Sequence, residues 1–179
     1  GEINQYTISN VNHFRNIVLN KGYPGYGLPS TYFILSNDLD FENTSPWIGY
    51  ENEIGAYKFN GTFDGNGHVV KNLHSTVFTS SEAGFNFNSE TEKPTVGLFF
   101  EIEDATFKNI TFDNCIIGDE MLSKGVGLLG VGRNADALTT KTLSIINVTV
   151  NSNCVIQGNQ NAGGLVGYGF YNLNVDGYE

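Results

Sequence analysis

Short apolar blocks separated by glycine- and asparagine-rich turns run along most of this chain, and two kinds of block alternate. The first kind centres on Gly-Leu and occurs at residues 96–100, 126–130 and 163–167. Each block is β-branched or aromatic and is bounded by Gly, Asn or Asp, which is typical of strands and turns. Because the blocks leave no room for crossover helices between them, the pattern predicts an all-β chain.

The second kind of block carries a recurrent asparagine, present as Asn72, Asn109, Asn147 and Asn172. The intervals of 37, 38 and 25 residues predict a regular coil of about 25 residues with loops of different length inserted into it. Stacked coils place equivalent residues about 4.8 Å apart. We therefore expect the asparagines to form one ladder in which each side-chain amide bonds the turn of the next coil.

Together the two blocks predict a right-handed single-stranded parallel β-helix of about four to five coils. We expect a single domain over residues 1–179, with the coils over residues 31–175. A β-sandwich is the alternative, but it gives no reason for the same two blocks to alternate in order.

The N-terminal stretch follows a different pattern, because residues 9–22 begin with Ser9 as a cap and end with Lys-Gly. Val11, Phe14 and Val18 follow helical spacing, which predicts a short amphipathic helix. Such a helix would cap the strand edges of the first coil. No comparable cap follows the last block, so we expect a fragment of a longer protein that continues into further coils.

A further echo links Asn114-Cys115-Ile116-Ile117 to Asn153-Cys154-Val155-Ile156. The echo predicts that Cys115 and Cys154 occupy equivalent positions on adjacent coils. Two cysteines are too few for a disulfide scaffold, and we expect both to be free, buried thiols that pack as small hydrophobes.

Composition narrows the classes of function. The chain has 9 Lys and Arg against 19 Asp and Glu, a formal net charge of -10. This balance argues against nucleic acid, which needs clustered cations, and against an anionic membrane surface. The longest apolar runs are far too short to insert into a membrane.

Acidic residues offer the candidate chemistry, each with a structural alternative. Asp64-Gly65-Asn66-Gly67 spaces its oxygens like the start of a calcium loop, but no bidentate Glu follows and the same residues are strong turn formers. Asp38, Asp40 and Glu42 alternate and would project from one face of a strand, where they either hold a cation or form a solvated edge beside the cap.

A hydrolase of polysaccharides would need converging carboxylates, and four acidic residues are the candidates: Asp104, Asp113, Asp119 and Glu120. No pair of them recurs in a way that marks a site. His13, His68 and His74 show no metal-ligand spacing. We therefore assign no catalytic residue, no metal site and no cofactor.

The most suggestive binding features are aromatic residues on polar, glycine-containing segments. Tyr23 and Tyr26 flank a Pro-Gly pair, and Phe85 and Phe87 lie in the polar insertion 75–95. Rigid aromatic rings on loops are suited to stacking against sugars or protein surfaces. They are equally suited to folding back over a coil as loop anchors.

Three stretches of sequence, 31–41, 47–49 and 59–73, carry a family resemblance. The last contains Gly-Thr-Phe-Asp-Gly-Asn-Gly-His from Gly61 to His68. With the Gly-Leu blocks they resemble the GLUG-motif β-helical proteins, although Phe100 replaces the final Gly of that motif. The resemblance covers about residues 6–175. It implies a secreted, surface-associated β-helix of the kind found in bacterial adhesins and before the catalytic part of some bacterial immunoglobulin-A proteases.

We expect a non-catalytic adhesion or ligand-binding module of a larger bacterial protein, secreted or on the cell surface. Its partners would be a host or environmental glycan or protein and the further coils of its own chain, with no nucleic acid and no membrane insertion. The alternatives are a glycan-active enzyme fragment, which clustered carboxylates in one groove would favour, and a pure structural spacer.

Overall fold

The computed structural model describes residues 4–18, 31–45, 58–75, 95–99, 101–102, 104–119, 125–132, 142–158, 161–167 and 172–176. Strands dominate these residues, and one helix, α1, spans Val11–Val18. In chain order the strands are β1 (Asn4–Ile8), β2 (Thr31–Leu35), β3 (Leu39–Thr44), β4 (Lys58–Phe59), β5 (Thr62–Asp64), β6 (Val69–Ser75), β7 (Thr95–Val96), β8 (Glu101–Ile102), β9 (Thr106–Asp113), β10 (Ile116–Asp119), β11 (Gly125–Gly127), β12 (Val131–Gly132), β13 (Thr142–Val150), β14 (Val155–Gly158), β15 (Asn161–Gly163) and β16 (Asn172–Asp176).

The described strands form one sheet of ten strands, here called the main sheet, and two sheets of three. The second sheet contains β7, β11 and β15, and the third contains β4, β8 and β12. Every pair of described strands is parallel. The predicted all-β class is confirmed, and parallel pairing argues against an antiparallel sandwich.

From β7 onward the chain visits the sheets in a fixed order. It passes from the second sheet to the third, then to the main sheet, and returns to the second sheet at β11 and again at β15. Each return adds a strand beside the previous one in parallel, with Val96 opposite Val126 and Val126 opposite Ala162. Residues that recur along the sequence therefore become neighbours in space.

Alternating apolar residues point inward and form one continuous core. In the main sheet Phe33 pairs with Phe63, Phe63 with Phe107 and Phe107 with Ile145, and all four side chains are buried. The ring of Phe99 stacks on that of Phe59 with centroids 4.3 Å apart. Each Å² of apolar surface that this core removes from water stabilises the fold by about 25 cal/mol.

Helix α1 lies within the predicted segment 9–22, and residues 19–22 lie outside the described part of the chain. Asn10, not Ser9, caps it, because the Asn10 Oδ1 accepts from the backbone N–H of His13 over 2.9 Å. Phe14 packs edge-on against Phe41 of β3. The helix thus contacts the outer side of β3, which pairs only with β6 among the described strands.

Among the described residues no helix combines the length and the apolar character that a membrane span requires.

Asparagines hold the corners of the main sheet in a left-handed backbone conformation. The backbone φ is 54° at Asn109, 51° at Asn147, 55° at Asn72 and 50° at Asn114. Asn tolerates this region better than any other residue with a β-carbon except Asp. The recurrence of asparagine in the sequence therefore has a backbone cause as well as a hydrogen-bonding one.

The predicted asparagine ladder exists, but it is two ladders with a different membership. Asn147 donates to Asn109 and Asn109 donates to Asp64, whereas Asn72 belongs with Asn114 in a second ladder that ends on Asp40. Including Asn72 and Asn172 in the first ladder was wrong. Asn172 pairs with Thr142 and not with Asn147, and the main sheet has two series of asparagines with the same local sequence.

The Gly-Leu blocks stack as expected, although the third is displaced by one residue from the alignment of the motifs. Gly127 pairs with Gly163, not with Gly164, and Gly130 pairs with Val166. Gly163 is required at this point, because a β-carbon there would lie 2.0 Å from the Val166 carbonyl oxygen.

Candidate functional site

A polar groove of about 440 Å³ lies between the first turn of α1 and the start of β3. Its floor is Phe41, which is buried, and its rim is polar. The lining residues are Ser9, Asn10, Val11, Asn12, Arg15, Asn37, Asp38, Asp40, Phe41, Glu42 and Thr44. This volume falls within the range of small-molecule sites, and we call this feature the helix groove.

The walls of the helix groove are tied together across their width. Arg15 of α1 donates from Nη2 to the Thr44 hydroxyl over 2.9 Å and to the Ser45 carbonyl over 3.2 Å. Asn37 donates from Nδ2 to the Ser9 carbonyl over 3.2 Å. The helix is therefore fixed against β3 at both ends of the groove.

Asp38 and Asp40 line the groove with oxygens that already accept hydrogen bonds. Asp38 Oδ1 accepts from the backbone N–H of Val69 over 3.0 Å and lies 3.2 Å from His68 Nδ1. Asp40 Oδ1 accepts from Asn72 Nδ2 over 2.8 Å and from the Glu42 N–H over 2.9 Å. These bonds orient both carboxylates, and Asp40 Oδ2 also lies 3.5 Å from Lys71 Nζ.

The same hydrogen bonds set the charge of the groove. The bond from Val69 holds the pKa of Asp38 below its ordinary value, and the bond from Asn72 does the same for the pKa of Asp40. Burial lowers the pKa of Arg15, while the charge of Glu42 opposes that change. Near neutral pH the two aspartates are therefore ionised acceptors.

The alternation predicted for Asp38, Asp40 and Glu42 is confirmed, because all three are exposed while Leu39 and Phe41 between them are buried. They form the predicted acidic edge beside the cap helix. Among the described residues no group of three or more His, Cys, Asp or Glu side chains is placed to hold a metal ion. The cation reading of this edge therefore has no support in the geometry.

A second polar cluster surrounds the buried carboxylate of Asp64 on the outer side of the main sheet. Asp64 accepts from the hydroxyl of Tyr32, from Asn109 Nδ2 over 3.0 Å and from the Asn66 N–H over 2.8 Å. Lys108 Nζ lies 3.3 Å from its Oδ2 and 5.1 Å from the centre of the Tyr32 ring. Both carboxylate oxygens of Asp64 therefore have hydrogen-bond partners within the fold.

Burial raises the pKa of Asp64, but the hydrogen bonds from Tyr32, Asn109 and Asn66, with the charge of Lys108, outweigh it and hold the pKa below its ordinary value. The pKa of Lys108 is raised by its hydrogen bond with Tyr32 and by Asp64. A carboxylate and an ammonium group that stabilise each other's charge form a structural pair, not a proton-transfer pair.

The turn interpretation of Asp64-Gly65-Asn66-Gly67 is confirmed. The His68 N–H donates to the Gly65 carbonyl over 2.8 Å, and the backbone φ is 52° at Asn66 and 80° at Gly67. Two consecutive positive φ angles define a type I′ turn, for which Asn-Gly is the preferred pair. The Asp64 carboxylate faces the sheet and not a calcium position.

The four carboxylates considered for hydrolysis do not form one cluster within the described residues. Asp104 precedes β9 and accepts from the Thr142 N–H, whereas Asp113 ends β9 and accepts from Asn151. The intervening eight-residue strand separates them widely. The side chain of Asp119 and all of Glu120 lie outside the described part.

The aromatic candidates Tyr23, Tyr26, Phe85 and Phe87 also lie outside the described residues. Of the histidines, His13 contacts the Ser9 hydroxyl within α1 and His68 contacts Asp38. The helix groove could not be predicted from the sequence, because Arg15 and Asp40 line the same groove only when α1 packs on β3. Sequence reasoning also missed Asp64 as an anchor, because its partner Lys108 comes two asparagine blocks later.

No family model, no curated protein and no solved structure matches this chain.

Proposed function

We propose that the chain is a right-handed parallel β-helix. Six strands of the main sheet pair in series, β1, β2, β5, β9, β13 and β16, and from β7 to β15 the chain visits the second, third and main sheets in a repeating order. Connections between parallel strands of one sheet are right-handed in nearly all proteins. The six strands of this series delimit five complete turns, within the range of four to five coils predicted from the sequence blocks.

We further propose that this β-helix is a non-catalytic binding module of a secreted or surface protein, and that the helix groove binds a glycan. The observation that carries this proposal is a groove lined by ionised carboxylates and side-chain amides. Carboxylate oxygens accept and amides both donate and accept, which suits the adjacent hydroxyls of a sugar.

Binding is favoured over hydrolysis by the charge state of the groove. A glycosidase needs one carboxylic acid whose pKa is raised so that it stays protonated near neutral pH. Asp38 and Asp40 have the opposite shift, because backbone and amide donors stabilise their ionised forms. They are suited to accept hydrogen bonds from a ligand and not to donate a proton to it.

A glycan array followed by calorimetric titration of the best-retained glycan tests this function. Asn12→Ala and Glu42→Gln change exposed groove residues, and Asn16→Ala is the matched control on the same helix outside the groove lining. We expect each groove variant to weaken binding about tenfold, the loss of about 1.4 kcal/mol, and the control to bind as the wild type does. Retention of no glycan would favour the structural spacer, and equal binding by all three variants would place the site elsewhere.

A further inference from the structure

Cys115 and Cys154 lie at equivalent corners of adjacent coils, as their sequence echo predicts. Ile116 pairs with Val155, and the Val155 N–H donates to the Cys115 carbonyl over 2.8 Å. Each thiol also donates a hydrogen bond to a backbone carbonyl of the preceding coil. Cys115 Sγ donates to the Val70 carbonyl over 3.7 Å and Cys154 Sγ to that of Phe112 over 3.6 Å.

The surroundings of the two thiols differ. Both cysteines are free in the structure, but only Cys115 is buried, while Cys154 is half-buried. The expectation of two buried thiols was therefore wrong for Cys154. The half-buried position follows a turn, Asn151–Cys154, that is one residue longer than its equivalent in the preceding coil. Val150 pairs with Phe112 and Val155 pairs with Ile116, which leaves four residues between the paired positions in the later coil and three in the earlier one.

We propose that Cys115 and Cys154 are a modification site at which a small disulfide oxidant closes a reversible intramolecular disulfide between adjacent coils. Neighbouring parallel strands are about 4.8 Å apart, which lies within the Cα separation that a disulfide accepts. The bond would form at a corner, where the longer turn before Cys154 allows the small approach of the two β-carbons. This proposal does not depend on the glycan-binding function.

The reaction proceeds in two exchange steps. The accessible Cys154 thiolate first attacks the oxidant, RSSR, which forms a mixed disulfide on Cys154 and releases one RS⁻. The Cys115 thiol then loses its proton to solvent, attacks Cys154 Sγ and releases the second RS⁻. In total two cysteine thiols are oxidised, and one RSSR is reduced to two RSH.

The second step is the slow one. Burial, together with the neighbouring Cys154, raises the pKa of Cys115 to about 12, so its thiolate is scarce at neutral pH. The mixed disulfide on Cys154 therefore accumulates first, and its closure accelerates about tenfold for each unit of pH below that pKa.

Incubation of the full chain with oxidised glutathione, followed by alkylation and peptide mass spectrometry, tests the site. We expect a glutathione adduct on Cys154 at early times, then a Cys115–Cys154 cross-link that dithiothreitol reverses. Cys115→Ala should keep the adduct without closure, and Cys154→Ala should show neither. Circular dichroism of each variant checks its fold, and adduct mapping on the wild type needs no variant.

The closing rate at pH 7, 8 and 9 supplies the second measurement. A rate that rises about tenfold per pH unit supports Cys115 as the attacking thiol. First modification at Cys115, an adduct that never closes at pH 9, or cross-links only between two molecules would each overturn the proposal.

Discussion

Asn147 donates its side-chain amide to Oδ1 of Asn109, 38 residues earlier in the chain, over 3.1 Å. Asn109 in turn donates to Asp64 Oδ1. The second ladder runs in the same direction, from Asn114 through Asn72 to Asp40. Asp40 and Asp64 occupy the ends of the two ladders, where a side chain only accepts a hydrogen bond. An ionised carboxylate suits this position because it accepts hydrogen bonds and has none to donate.

Replacing Asn109 tests whether the ladder stabilises the fold through its backbone angle or through its amide. Asn109→Ala removes the amide and places at a φ of 54° a residue that adopts this angle less readily than Asn does, so we expect a loss of about 2–3 kcal/mol in unfolding free energy. Asn109→Gly keeps the backbone angle and loses only the amide, so its loss should be about 1 kcal/mol. Urea denaturation measures both, and equal stability of Asn109→Ala and wild type would contradict the ladder.

The Asp64 carboxylate should stabilise the protein in a pH-dependent way. Its pKa in the folded chain lies below the ordinary 3.8, so its stabilising contribution is complete above that value and is lost as the pH falls through the folded pKa. We expect Asp64→Asn to lower the unfolding free energy by about 2 kcal/mol at pH 7. The difference from wild type should shrink below pH 3.8.

Lys108→Met is the partner variant for this measurement. The double variant with Asp64→Asn gives the coupling between the two side chains, which we expect to be favourable at pH 7 and to vanish in acid. A difference between Asp64→Asn and wild type that stays constant from pH 7 to pH 3 would show that the carboxylate's charge has no role.

Gly127 of the second Gly-Leu block should not tolerate a side chain. A β-carbon at Gly127 would lie 2.4 Å from the Gly167 nitrogen and 2.6 Å from the Gly130 carbonyl oxygen, so Gly127→Ala requires backbone movement between coils. We expect it to cost more than about 2 kcal/mol. Gly67→Asn is the control, because its turn faces open space and Asn accepts a positive φ. A thermal midpoint for Gly127→Ala at or above that of the control would be incompatible with this packing.

Strand β16 should be less protected than its neighbour β13 in the main sheet. Among the described strands it pairs only with β13, whereas β13 lies between β9 and β16. Hydrogen exchange at low concentration should therefore be faster in β16 than in β13, since exchange reports local opening. Equal protection of the two strands in a monomer would show that β16 is covered on its other side.

The sequence contained enough information to predict stacked parallel strands, because the Gly-Leu blocks and the Cys115 and Cys154 echo are local patterns. It did not show which of the recurrent asparagines stack on one another. Lys71-Asn72-Leu73 and Lys108-Asn109-Ile110 read alike because both corners of a coil need a left-handed residue followed by an inward apolar one. Only the pairing of Val70 with Phe112 separates the two corners.

The candidate site was harder to predict for a related reason. The exposure of Asp38, Asp40 and Glu42 could be predicted because the alternation of exposed and buried residues along a strand is a local pattern. The position of Arg15 opposite them depends on how Phe14 enters the core between Phe41 and Phe63. A packing arrangement of this kind has no signature in either segment alone.

The direction of the amide ladders has a consequence for how the protein emerges from the ribosome. In both ladders each side-chain amide donates to a residue that was synthesised earlier. The acceptor has therefore already left the exit tunnel when its donor emerges, and each new strand can dock on the strand that precedes it. Asp40 and Asp64, the acceptors at the ends of the two ladders, are synthesised first, so folding during translation can advance strand by strand without waiting for the C-terminus.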